Sequence, residues 1–249
     1  MRASMVCAAI ALLACSSLVI AAPAKTVKTE IKTKGYSFEY SYPATVNTHP
    51  KLRQTIEKDK AAQLKELQAL AREMSRDTDR PFANMAVETS VAWETVTDLP
   101  AYLSLTMDNW SYTGAAHGNW WRTSQVWDKK AAKSLDPFDF FTSKAAFDEL
   151  VQTSYCDLLD IERSKRRDGE KVDRSQTDDW MQACPKPSEL VLILGSSNGK
   201  AFNRLSVYAS PYAVGPYVEG DYEVDLPMTA ALIAAVKLQY RGAFTVTPK

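Results

Sequence analysis

Histidine is nearly missing from this 249-residue chain: His49 and His117 are the only imidazoles it can offer as ligands or bases. There is no His-x-x-x-His pair, no Cys/His cluster and no calcium-loop pattern, so the sequence gives no basis for a metal site. Gly-x-Ser-x-Gly, the P-loop and the dinucleotide-binding glycine pattern are absent too, and no cofactor is expected. Net charge is lacking as well, with Lys plus Arg and Asp plus Glu both at 30. Phosphate recognition needs a basic face, so nucleic acid is not an expected partner. Internal repeats and low-complexity linkers do not occur.

What is present begins with a leader. Arg2 supplies a positive start, and Met5 to Ala22 is uncharged and mostly apolar, so residues 1–22 read as a secretory signal peptide. Small residues around Ala21-Ala22-Pro23-Ala24 fit ordinary cleavage. Leu12-Leu13-Ala14-Cys15 instead resembles a bacterial lipobox, in which Cys15 would carry the lipid and the membrane would be met only through that anchor. Both readings stay open: a soluble periplasmic protein, or a membrane-anchored lipoprotein. Removing the leader takes away one charge, that of Arg2, and leaves the mature chain slightly acidic. It also leaves Cys156 and Cys184, which in an exported chain form a disulfide most simply, free buried thiols being the alternative. No Cys-x-x-Cys suggests a redox pair.

Past a basic-polar lead, Tyr36, Phe38, Tyr40 and Tyr42 alternate along a strand that Pro43 stops. Pro50 suits a helix first turn. Leu52, Ile56, Leu64, Leu67, Ala71 and Met74 then form one stripe of a helix reaching about Arg76, roughly 39 Å at 1.5 Å per residue. Alternation from Met85 to Thr95, from Leu103 to Tyr112 and from Trp120 to Asp128 predicts three strands of an antiparallel meander, with the long helix over one face. Thr142 or Ser143 caps a second helix. The charged run Glu162 to Gln176 reads as a solvated helix end and loop, or else as a basic grip on an anionic glycan. A hairpin about Asn198-Gly199, an irregular aromatic segment Pro211 to Tyr217, a short acidic strand and a helix starting at Pro227 complete the chain. The fold class is α+β: antiparallel sheet segments packed against a long N-terminal helix and further helices.

The chain is organised around Asn109 to Asp128, which holds Trp110, Trp120, Trp121 and Trp127 of the six tryptophans, and His117. Its centre, Gly114-Ala115-Ala116-His117-Gly118, is a tight connection whose glycines suit positive φ or close backbone approach. His117 has three readings: a turn-holding histidine bonded to backbone, a ligand contact, or a base. Trp120 and Trp121 point to opposite sheet faces, so one should be core and the other an aromatic platform. A Ser-His-Asp triad needs no sequence adjacency, but His117 is its one plausible base. Asp221, Glu223 and Asp225 alternate as a solvent face rather than as a hydrolytic pair.

Tyr112-Thr113-Gly114-Ala115-Ala116-His117-Gly118 resembles the Tyr-x-Gly-Gly-Ala-His signature of the PdaC/RsiV-like extracytoplasmic domain family, with Ala115 in place of the second glycine. Trp127-Asp128 followed by Leu135-Asp136 and Phe140-Phe141, and later Pro211-Tyr212-Ala213-Val214-Gly215, resemble two further segments of that family in the same order. The resemblance implies a cell-envelope α+β domain with a PdaC-like half over residues 34–118 and an RsiV-like half over residues 119–238. It also implies a binding role, since the family's deacetylase chemistry belongs to a separate metal-dependent domain with no counterpart here. The expected function is an exported, non-catalytic binding module for a cell-wall glycan or a lysozyme-like protein, through Tyr112, His117, Trp120, Trp121, Tyr212 and Tyr217. The alternative is an envelope hydrolase or deacetylase using His117 with nearby carboxylates.

Overall fold

The computed structural model describes residues 25–76, 86–176 and 178–248. The expected leader with Cys15, and the expected turn and strand start at residues 77–85, lie outside the described residues. Strands β1 (Thr26–Lys32) and β2 (Tyr36–Pro43) form an antiparallel pair, and helix α1 (Pro50–Met74) carries the chain to β3 (Val87–Asp98), which pairs with β2 in parallel. From there β3, β4 (Tyr102–Tyr112), β5 (Asn119–Asp128) and the short β6 (Lys133–Leu135) run as the antiparallel meander, completing a six-stranded sheet in sequence order. The parallel step exists because a helix separates β2 from β3; a tight turn could not have made it. The sheet crosses the 118/119 boundary without a break, since β4 and β5 are one hairpin.

Helix α2 (Lys144–Arg166) follows, and Ser143 caps it by accepting from the Ala146 amide at 3.0 Å. Strands β7 (Val191–Gly195), β8 (Arg204–Ala209) and β9 (Tyr222–Pro227) make a second, antiparallel sheet. The last helix, α3 (Ala230–Ala235), starts later than Pro227, which closes β9; Thr229 caps it by accepting from the Leu232 amide. A hydroxyl that satisfies a free helix amide sets the start better than a proline that only tolerates it.

Side-chain parity decides what each face of the large sheet meets. Phe38, Tyr40, Val91, Leu103, Leu105 and Trp127 point at α1 and bury Leu52, Ile56 and Leu67. The opposite face turns toward the second sheet: Ser124 donates to the Leu192 carbonyl at 2.5 Å, and Val126 and Leu135 join the core of the second half. The β4–β5 hairpin therefore stands with α1 on one side and the C-terminal half on the other. Cys156, on α2, and Cys184 form the disulfide, with Cα atoms 5.8 Å apart.

Candidate recognition site

The hairpin tip keeps its shape through two glycines with different duties. Gly114 has φ +85°, open to glycine and strained for other residues. At Gly118 a Cβ would lie 2.6 Å from Trp110 Nε1, so the indole packs directly on its backbone. His117 follows from that geometry: its Nδ1 lies 2.9 Å from the Gly118 carbonyl, and its ring is exposed.

Against this tip stands the segment 210–221 from the other half of the chain. Tyr217 stacks on His117 with ring centroids 3.9 Å apart and donates its hydroxyl to the Gly118 carbonyl at 2.7 Å. Trp120 meets the Tyr217 ring edge-on at 4.8 Å, Tyr212 lies 5.6 Å from Tyr217, and the Tyr212 hydroxyl is 3.4 Å from His117 Nε2. Of the six residues expected to bind, His117, Trp120, Tyr212 and Tyr217 thus converge. Tyr112 ends β4 half-buried, on the Trp110 and Trp120 face by strand parity. Trp121 departs from the group, because it is one residue from Trp120 and points to the α1 side. Neither Trp120 nor Trp121 is core: Trp120 is half-buried by Tyr217, and Trp121 is exposed. The core place on this stretch belongs to Trp127, 4% exposed and near His49.

The charged run Glu162 to Gln176 is largely exposed, as expected of a helix end and loop, and the correction is confined to two arginines that turn inward, Arg163 fully and Arg167 partly. Arg163 is fully buried and donates to the carbonyls of Val214 at 2.9 Å, Gln182 at 3.3 Å and Ala183 at 2.9 Å. Arg167 grips both carboxylate oxygens of Glu219, at 2.7 and 3.0 Å. Arg166 lies over the Tyr222 ring and donates to the Glu219 and Asp221 carbonyls. Arg174 holds Asp157 and Asp160. Tyr155, Leu159 and Arg163 recur every four residues, and that spacing was the available signal that Arg163 lies on the buried stripe rather than in solvent.

Electrostatics locks the same segment. Burial works against the Glu219 carboxylate, but the Arg167 and Tyr222 donors outweigh it and hold its pKa below the ordinary value. Burial and the Glu219 partner push the Tyr222 phenol up to about 12. Gly215 is glycine because a Cβ there would overlap the Glu219 carboxylate. Tyr212 sits at φ +70°, a left-handed conformation that a non-glycine residue holds only where its surroundings enforce it. On the hairpin side, Arg122 grips Asp108 at 2.6 and 3.0 Å, reaches Glu223 at 2.9 Å and lies over the Tyr208 ring, which fastens the tip to the second sheet.

The bonds described for His117 go to the Tyr212 hydroxyl and the Gly118 carbonyl. Among the described residues no group of three or more His, Cys, Asp and Glu side chains is placed to hold a metal ion. Asp221, Glu223 and Asp225 are not gathered into a pair: Glu223 serves Arg122, and Asp225 accepts from Ser206 at 2.5 Å. The arrangement offers aromatic surface and hydrogen-bonding groups, held rigidly from both halves.

A family model described as "Deacetylase PdaC" matches residues 29–120, which run from β1 through the hairpin tip. This stretch is similar to a PdaC domain. It contributes Tyr112, His117 and Trp120 to the cluster, while Tyr212 and Tyr217 come from beyond it. No curated protein matches the chain. Among solved structures, a DUF3298-family protein from Bacteroides fragilis is similar with TM-score 0.52 and 13% identity, over 82% of this chain and 90% of that one. A DUF3298-family protein from Pseudomonas aeruginosa has TM-score 0.49 and 13% identity, over 90% and 97%. The first likeness extends the shared fold past the PdaC-like domain into the second half. The disulfide suits a chain that folds in an oxidising, extracytoplasmic compartment.

Proposed function

We propose that this chain is an exported, non-catalytic recognition module of the cell envelope, with the cluster of His117, Trp120, Tyr212 and Tyr217 as its contact surface. The observation that carries the reading is Tyr212: its backbone is held in a strained conformation while the residue is 51% exposed. Strain held within a segment that Arg163 anchors at Val214 and Arg167 at Glu219, at a residue that gains little burial from it, is the mark of a preorganised contact. Tyrosine and tryptophan supply large contact area at low entropic cost, which suits a binding hot spot.

Of the two ligand classes the family resemblance implies, a muramidase-like protein fits this surface better than a cell-wall glycan. The rings here pack face and edge on one another, so few of their faces are left flat for a sugar. Ala115, Ala116, Tyr212 and the nearly bare Val218 point outward instead, a mixed apolar rim of the kind that meets protein side chains. The PdaC-like match and the disulfide support the envelope setting; a lipid on Cys15 belongs to the same reading and would show as a diacyl or triacyl mass on the mature N-terminus. Pull-down of the mature protein with lysozyme and with insoluble peptidoglycan tests the proposal. Recovery with lysozyme supports it, and recovery with neither contradicts it.

A further inference from the structure

Strand β1 ends the large sheet: among the described residues it pairs with β2 alone. Its bonds to β2 fix which backbone groups are left over. The Thr33 amide donates to the Tyr36 carbonyl at 2.9 Å, and the Ala44 amide donates to the Lys25 carbonyl at 2.7 Å. Bonded pairs alternate along an antiparallel ladder, so the odd-numbered residues of β1 bond to β2. The amides and carbonyls of Thr26, Lys28, Glu30 and Lys32 therefore point outward, and these four residues are exposed. Such an edge is a template for another strand, and natural sheets blunt it with proline, a bulge or lysine. β1 has no proline and no register shift, and Lys28 and Lys32 flank a glutamate.

That glutamate is poorly served within one chain. Glu30 stands directly opposite Glu39 of β2, a like-charge cross-strand pair, and both carboxylates share the ammonium of Lys28, at 3.4 and 3.0 Å.

We infer that β1 pairs antiparallel with β1 of a second copy, about a two-fold axis at Thr29. In this register Lys28 meets Glu30 of the other copy and Thr26 meets Lys32, each through the outward backbone groups. Each Glu30 then has a lysine across the strand pair as well as along its own strand. A centre at Lys28 would oppose two lysines, and one at Glu30 two glutamates. A centre at Ile31 would leave Thr26 and Lys28 beyond the end of the paired strands. On the α1 side Val27 meets Ile31 of the other copy, extending the half-buried apolar row there. Lys60 reaches Thr29 from α1 at 3.5 Å and comes to the axis with its charge matched by Glu57 at 2.6 Å. β1 lies four strands from β5, which carries Trp120, so the inference stands whatever the aromatic cluster binds.

One strand pair buries less than the roughly 1,200 Å² of a stable complex, so a dissociation constant of roughly 10–100 µM is expected. Sedimentation velocity of the mature protein over a concentration series reads it. Glu30→Lys sets lysine against lysine at both symmetry-related places and should weaken association at least about tenfold. Its melting temperature in dilute solution should hold or rise, because a lysine at position 30 faces Glu39. Exchanging the two charges, Lys28→Glu with Glu30→Lys, should bring association back to within about threefold of the wild type. The outward amides of Lys28 and Glu30 should exchange hydrogen more slowly in concentrated than in dilute protein. A wild type that stays monomeric to about 1 mM, a Glu30→Lys variant that associates undiminished, or a double exchange that associates no better than Glu30→Lys would each overturn the assignment.

Discussion

The Tyr217 hydroxyl donates to the Gly118 carbonyl at 2.7 Å, the shorter of two hydrogen bonds described between the hairpin tip and the arginine-held segment of the second half. Tyr217→Phe keeps the ring and its stack on His117 but leaves that carbonyl without its donor. Loss of about 1 kcal/mol in urea denaturation is expected. Equal stability of the two proteins would mean that the bond is replaced by solvent and does not tie the halves.

Arg163 anchors the segment from beneath. Its partners are three backbone carbonyls and, at 3.5 Å, the Asp160 carboxylate; all remain in place after substitution, so an apolar replacement cannot satisfy them. Arg163→Met should therefore destabilise by about 3 kcal/mol, measured by chemical denaturation. A neutral outcome would show that the segment refits its carbonyls elsewhere.

Acid should loosen the same clamp. The Glu219 pKa in the folded chain lies below the ordinary 4.5. A depressed carboxylate contributes stability in full above the unfolded value and loses it as pH falls through the folded value. The gap in melting temperature between the wild type and Glu219→Gln should thus be widest near neutrality and close below pH 4.5. A gap that stays constant into acid would remove Glu219 from the account.

The disulfide closes the excursion that supplies two of the Arg163 acceptors, Gln182 and Ala183. Replacing both Cys156 and Cys184 by alanine should cost about 3.5 kcal/mol for a loop of this length in the chain-entropy picture. It should also weaken lysozyme capture, since the carbonyls that receive Arg163 lose their anchor. Undiminished capture would separate the disulfide from the recognition surface.

Much of this was legible in the sequence, and the reasons are local. Alternation gave the strands and their faces, the leucine stripe gave α1, and the glycines at both ends of Gly114–Gly118 announced the tight tip, one by positive φ and one by close approach. Parity placed Trp120 and Trp121 on opposite faces but could not say what stood over each. Tyr217 covers one and α1 lies beside the other, and both depend on contacts between distant segments. Arg163 and Arg167 escape the solvated reading because composition records charge but not the carbonyls and the carboxylate waiting far along the chain. The pairing of Asn109 with Gln63, and the Asn109 Oδ1 left buried without a partner, are not legible in sequence, since a polar residue on a strand or helix shows its missing partner only once the fold has closed around it.

The most direct test is Tyr212→Gly, assayed for lysozyme capture and for thermal stability in the same preparation. Glycine accepts φ +70° without strain, so the melting temperature should hold or rise by the equivalent of about 0.5–1 kcal/mol, while capture is lost. A variant that captures lysozyme as well as the wild type would contradict the account, because Tyr212 would then be strained for no contact.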